Sequence, residues 1–116
     1  MNIRHAVSGD LDTLADIETR SYPRAEAASL ESIRARIEKF ANHFWLLDGE
    51  NGIVAFINGM VTDSPDLTDE MYDRAELHNE DGTWQMIFSV VTAPEFRGQG
   101  CAGELMSRVI DDCRSQ

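Results

Sequence analysis

The spacing of hydrophobic and polar positions changes along the chain, and each change predicts a change of element. Residues 2–7 (NIRHAV) alternate, with Ile3, His5 and Val7 on one side, which predicts a short strand. Ser8 then offers an N-cap, Asp10 and Asp12 suit a first helical turn, and Leu11, Leu14 and Ala15 form an apolar stripe. Together these predict a helix over about 9–20, interrupted before Pro23. A second helix follows Ser29, with Leu30, Ile33, Ile37 and Phe40 at helical spacing. HFWLLD and GIVAFINGMV flank the turn-rich Asp48-Gly49-Glu50-Asn51-Gly52 and predict an antiparallel hairpin. Residues 63–82 are polar, with room for a short helical turn. TWQMIFSVVT at 83–92, rich in β-branched and aromatic residues, predicts one continuous strand. A closing helix over about 99–113 would bury Ala102, Leu105, Met106, Val109, Ile110 and Cys113.

The predicted order is β-α-α-β-β-β-α, an α+β or mixed-sheet arrangement within a single domain spanning 1–116. A strand followed by a helix is the opening of a crossover unit, after which a parallel neighbour strand is expected. The sequence stops on the helix instead.

Composition narrows the function classes. Ten Lys and Arg stand against 21 Asp and Glu, for a net charge of −11. A nucleic-acid binder would need a basic face to neutralise phosphates, so that class is set aside. An acidic surface is compatible with a cationic small substrate, and serves solubility equally well. No apolar run approaches the ~20 residues of a membrane span, and MNIRHAVSGDL has no secretory h-region, so the expectation is a cytoplasmic protein. Cys101 and Cys113, on one helix, would lie roughly 18 Å apart, beyond the ~7 Å that a disulfide tolerates. Free thiols are expected.

The most specific feature is PEFRGQGCAGELM, residues 94–106, in which Gly98, Gly100 and Gly103 spell G-x-G-x-x-G. A dinucleotide-binding turn would run directly from strand into the first glycine and need a second strand with an acidic residue about 20 positions on. Five residues intervene here, and the sequence ends too soon. The physics of the loop survives that exclusion. Glycines admit a ligand close to the backbone, the N–H groups of Gln99 to Gly103 open a helix and lack intrahelical partners, and Arg97 adds a cation. Such a loop suits a pyrophosphate.

VVTAPEFRGQGCAGELM resembles motif A of the GCN5-related N-acetyltransferases, the GNAT superfamily: R/Q-x-x-G-x-G/A following a strand that ends in proline. Arg97-Gly98-Gln99-Gly100-Cys101-Ala102 fits it in full. The resemblance implies a mixed, mostly antiparallel sheet flanked by helices. It implies acetyl-CoA as co-substrate, with its pyrophosphate on Arg97, Gly98, Gln99, Gly100, Cys101, Ala102 and Gly103. Main-chain groups of Val90, Val91 and Thr92 would face the pantetheine arm and thioester. The implied reaction is direct acetyl transfer to a primary amine of a small molecule, with no metal. The likeness covers the whole chain but about two-thirds of the family's fold, so a C-terminally incomplete domain is expected. Its open strand edge and bare helix face would drive dimerisation or strand exchange.

Tyr22-Pro23-Arg24-Ala25-Glu26-Ala27-Ala28-Ser29 is similar to the arylalkylamine branch, where this loop lies over the amine site, which makes Tyr22 and Glu26 candidate acceptor-binding residues. A plain turn with a Ser29 helix cap accounts for the same residues. The two histidines that the branch carries on its central strand are replaced by Met86 and Phe88, and the family's tyrosine acid falls in a part with no counterpart here. Candidate bases are therefore local: His78, Glu76 and Glu80, in a segment holding eight carboxylates and one arginine, Arg74. A solvated acidic loop is the rival reading of all three. His5 and His43 read as structural, and no metal-ligand spacing is evident. Tyr22, Trp84 and Phe88 suit an aromatic acceptor or simple core packing. The alternative to an enzyme is an inactive CoA-binding remnant or interaction module.

Overall fold

The computed structural model describes residues 2–22 and 28–115. Its elements follow the expected α+β order. β1 (Asn2–Arg4), α1 (Leu11–Ser21), α2 (Leu30–Phe40), β2 (Phe44–Gly49) and β3 (Gly52–Asn58) are followed by the two-residue β4 (Val61–Thr62) and a short α3 (Asp69–Asp73). β5 (Trp84–Gln85), β6 (Ser89–Thr92) and α4 (Cys101–Arg114) complete the order.

The N-terminal cap differs from expectation. Ser8–Asp10 forms a 3-10 turn, so α1 starts at Leu11. Asp10, not Ser8, does the capping: its carboxylate accepts from the Val7 N–H at 2.9 Å and from both terminal nitrogens of Arg4. Arg4 also donates to Asp48 at 2.6 Å, tying β1, the start of α1 and the end of β2 together. The second cap forms as predicted, with Ser29 Oγ accepting from the Ser32 N–H.

The main sheet runs β1-β2-β3-β6, antiparallel throughout. Alternation along β2 sends Phe44 and Leu46 to one face and Trp45 and Leu47 to the other. On the first face α1 and α2 close over Phe44, Leu46, Phe56, Phe88 and Val91 with Leu14, Ile17, Ile33 and Phe40. On the second, α4 buries Cys101, Leu105 and Val109 against Trp45, Leu47 and Ile57. Trp45 Nε1 donates to Asp112 at 2.7 Å, which pins the far end of α4. Of the positions expected to be buried on α4, Ile110 is exposed, and it borders an apolar groove with Ile87, Met106, Val109 and Cys113. No described helix is long and apolar enough to cross a membrane.

The stretch 83–92 is not one strand. Trp84 and Gln85 face Thr62 and Val61, and Met86 and Phe88 N–H groups continue that register onto Met60 and Asn58 carbonyls, each at 2.8 Å. Ser89 then also stands opposite Asn58. One extra residue has entered at Phe88–Ser89, which is a β-bulge. The slip exchanges faces: Met86 and Phe88 lie in the helix-covered core, and beyond the bulge Val91 and Ala93 take their place. Val90, which strict alternation would have buried, is exposed.

Close backbone approach just before the bulge demands glycine at position 59. A Cβ there would meet the Met86 carbonyl oxygen at 1.7 Å and its carbon at 2.6 Å. Gly59→Ala is expected to force the two segments apart and cost about 3 kcal/mol, measured by urea denaturation, whereas Gly9→Ala, with nothing within 4 Å of its Cβ, leaves the midpoint nearly unchanged.

Candidate active site

Two features meet at β6. At its C-terminal end, Ala93 N–H donates to the Val54 carbonyl and Pro94–Phe96 forms a 3-10 turn, tied to α1 through Arg20 and Glu95. The chain then passes through Gly98 and Gly100, at φ 81° and 78°, into α4. Both angles lie in the left-handed region, where a side chain costs roughly 1–2 kcal/mol. Among the described residues, the main-chain N–H groups from Gly98 to Gly103 have no hydrogen-bond partner, and Arg97 is exposed with no ion-pair partner.

Gly103 is the informative glycine. It sits inside the first turn of α4, its φ is ordinary, and a Cβ would meet nothing within 4 Å. Nothing in the fold requires glycine there, and glycine weakens a helix interior by roughly 0.5–1 kcal/mol relative to alanine. Open space above unpaired donors fits a ligand that approaches the backbone closely. The chemistry suited to it is a phosphate group.

Along the strand, the Ala93–Val54 bond fixes which groups face β3. Alternation directs the Val91 N–H into the ladder and turns Val90 and Thr92 toward the open edge. Of the three strand residues expected to face a ligand through their main chain, Val90 and Thr92 are so placed, and Val91 is not. Tyr22 Oη donates to the Val90 carbonyl at 3.4 Å, which places this candidate residue against the edge. Glu26 lies outside the described residues.

Residues 11–116 match the model of the acetyltransferase (GNAT) family. The chain belongs to that family. Its fold agrees with the loading GNATL domain of CurA from Lyngbya majuscula, at 28% identity and a TM-score of 0.87 over 97% of this chain and 57% of that one. The GNAT-like decarboxylase GphF, described in complex with isobutyryl-CoA, gives 24% identity and a TM-score of 0.86, covering 96% and 58%. The ribosomal-protein-S18-alanine N-acetyltransferase of Escherichia coli gives 17% and 0.65, covering 98% and 59%. The chain thus spans rather more than half the length of these neighbours. No curated protein matches it.

In this GNAT chain a cavity of about 550 Å³ opens at the bulge end of β6, among Glu18, Tyr22, Arg36, Tyr72, Phe88 and Ser89. Arg36 and Glu18 are each 4% exposed. Arg36 donates to Asn58 Oδ1 at 3.2 Å and to the Tyr72 carbonyl at 3.1 Å, and its guanidinium lies 4.7 Å from the Phe88 ring centroid. Asn58 in turn donates to Ser89 Oγ at 2.7 Å. Glu18 accepts from the Ala28 N–H through one oxygen, while Oε2 and the Arg36 Nε have no partner among the described residues. Desolvation pushes the Glu18 carboxyl above the usual carboxylate value, against the Ala28 hydrogen bond and the Arg36 charge. Burial likewise pushes Arg36 down, opposed by Glu18. Both residues were invisible as site candidates, yet each carried a signal: a charge inside an apolar helical stripe, Glu18 beside Leu14 and Ile17, Arg36 between Ile33 and Phe40.

The three candidate bases stand elsewhere. Glu76 pairs with Arg74 on the surface at 3.0 Å. His78 and Glu80 join His43, expected to be structural, in a cluster against β4 and β5 in which His43 is buried and Glu80 is exposed. Its proton inventory is determined by geometry. Gln85 donates its amide to the carbonyls of Gly59, Met60 and Met86, so its Oε1 accepts, and His43 Nδ1, at 2.7 Å, donates. Val61 N–H donates to His78 Nδ1 at 3.0 Å, so His78 Nε2 carries the proton that reaches Glu80 at 2.8 Å. His43 Nε2 faces the same carboxylate at 2.9 Å.

The three ligand-type atoms lie within 4.8 Å of one another, a grouping that spacing along the sequence did not show. A metal on His78 Nε2 would require a proton on Nδ1, where the Val61 N–H already points. The arrangement holds protons.

Burial alone would raise the Glu80 carboxyl; the hydrogen bonds from His43 and His78 and the His43 charge reverse this and hold it at about 2, against an ordinary value of 4.5. A depressed carboxyl contributes stability that is present above pH 4.5 and lost as pH falls toward 2. Glu80→Gln is therefore expected to be less stable than the unaltered chain at pH 6, with the gap closing between pH 4.5 and 2 in thermal melts. A gap independent of pH would mean that the cluster acts by packing alone.

Proposed function

We propose that this GNAT chain transfers a short acyl group, acetyl in the simplest case, from acyl-CoA to the primary amine of a small molecule. The juxtaposition along β6 carries this reading. Unpaired donors and Arg97 stand at one end, the cavity of Glu18, Tyr22, Arg36 and Phe88 at the other, and the outward-facing Val90 N–H lies between them. Arg97 and the N–H groups through Gly103 would hold the pyrophosphate, and Val90 and Thr92 the pantetheine arm. An amide aimed at the thioester carbonyl stabilises developing negative charge there. An alkylammonium near pKa 10.4 costs about 4–5 kcal/mol to deprotonate at pH 7, so a proton acceptor in the cavity is required. Phe88 and Tyr72 in the cavity wall support an aromatic amine of the arylalkylamine type, in keeping with the Tyr22–Ser29 resemblance.

The likeness to the CurA loading domain favours a second reading, in which the acyl group is loaded onto an acceptor other than a free amine. Turnover with amines separates the two.

Calorimetric titration with acetyl-CoA is expected to give a micromolar Kd. Gly100→Glu, which places a carboxylate and a strained φ at the cradle, is expected to abolish binding. Gly103→Ala is expected to raise the melting temperature while weakening binding at least tenfold, because its Cβ enters the ligand's space. Unaltered affinity in both variants, or no binding by the folded chain, would refute the cradle.

The apolar groove beside Ile110 belongs to the same proposal, as a surface covered in a dimer of this chain. Analytical ultracentrifugation is expected to show a dimer at micromolar concentration. A monomer would overturn that part.

A further inference from the structure

We propose that Glu18 is the residue that anchors the acceptor ammonium through Oε2 and takes its proton before acyl transfer. This rests on the amine-acyltransferase reading above. Glu18 borders the cavity, is 4% exposed, and already spends Oε1 on the Ala28 N–H, so its second oxygen is left unmatched among the described residues.

A buried carboxylate oxygen without a partner is costly unless something supplies a donor. Arg36 does not supply it: among the described residues no ion pair joins the two side chains, and Arg36 spends its two terminal nitrogens on Asn58 and Tyr72. The charged and titratable groups sharing the cavity are Arg36 from α2, Tyr22 from the end of α1, and Tyr72 and Asp73 from α3. With two carboxylates, one committed arginine and the aromatic faces of Phe88 and Tyr72, the cavity suits a primary ammonium on an apolar or aromatic body.

The step balances. R–NH3⁺ gives one proton to Glu18 Oε2, leaving R–NH2. The nitrogen lone pair forms the N–C bond to the thioester carbonyl as the C–S bond breaks. A second proton leaves the nitrogen for the departing sulfur, giving the amide and CoA-SH, and Glu18 returns its proton to water. Desolvation of Glu18, which raises its affinity for the proton, brings it closer to the ammonium it must deprotonate.

Glu18→Gln separates this role from a structural one. The amide keeps an oxygen for the Ala28 N–H and removes a buried charge, so the melting temperature is expected to hold or rise. With 2-phenylethylamine as probe and CoA present, calorimetry is expected to show at least tenfold weaker amine binding in the variant, CoA affinity unchanged, and 2-phenylethanol binding weakly and equally to both proteins. Turnover of acetyl-CoA is expected to fall by about 10²–10⁴-fold, with loss of the acid limb of the kcat/KM profile. Glu18→Asp retains the limb at reduced rate.

Equal amine affinity in both proteins, or an unchanged acid limb, would overturn the assignment, as would a lack of amine binding by the unaltered chain. Amine binding that depends on Glu18 in a chain that turns over no amine would uphold the anchor and remove only the acyltransfer reading.

Discussion

The bulge at Phe88–Ser89 is the constraint on which the rest of the structure depends. A single additional residue opposite Asn58 changes which side chains enter the helix-covered core, so Met86 and Phe88 give way to Val91 and Ala93. The same slip turns the Val90 N–H and carbonyl to the open edge, where Tyr22 meets the carbonyl. Asn58, 1% exposed, holds the irregularity in place by donating to Ser89 and accepting from Arg36. The bulge therefore shapes the strand edge and, through Arg36, the cavity beside it.

Two further devices support that arrangement from opposite sides. Before the bulge, His43, Glu80 and His78 clamp the segment that carries β4 and β5, together with Gln85 and the Val61 N–H. After it, Arg20 and Glu95 tie α1 to the turn that delivers the chain into the glycine loop. The clamp is polar and its groups are matched among the described residues. The cavity is the reverse: among the described residues, Glu18 Oε2 and Arg36 Nε lie buried and unmatched. Proteins keep such costly groups where function needs them, and the contrast between the two polar clusters in one small chain marks out the cavity.

Much of the fold was legible because it rests on local rules. The two N-terminal helices follow from apolar spacing and from Ser29, the β2–β3 hairpin from a turn-rich connection between apolar runs, and the phosphate-type cradle from glycines placed ahead of a helix. The reading failed where distant residues decide. Local spacing points to Ser8 as the cap, whereas the reach of Arg4 to Asp10 depends on β1 lying beside β2. Alternation alone predicts one strand over 83–92, because it cannot register an inserted residue. Nothing local ties His78 and Glu80 to His43, which lies 35 and 37 residues away.

The sequence by itself determined the family, the helix positions and the glycine loop that opens α4, since motif, period and glycine placement all act within a few residues. The tertiary structure alone decided what the charged residues are for. Glu18 and Arg36 belong to different helices, and their meaning comes from being brought to one cavity at the bulge. His43 and Glu80 gain theirs from being packed beside one another and His78. Burial sets the cost of an unmatched charge, and burial is a property of the assembled core.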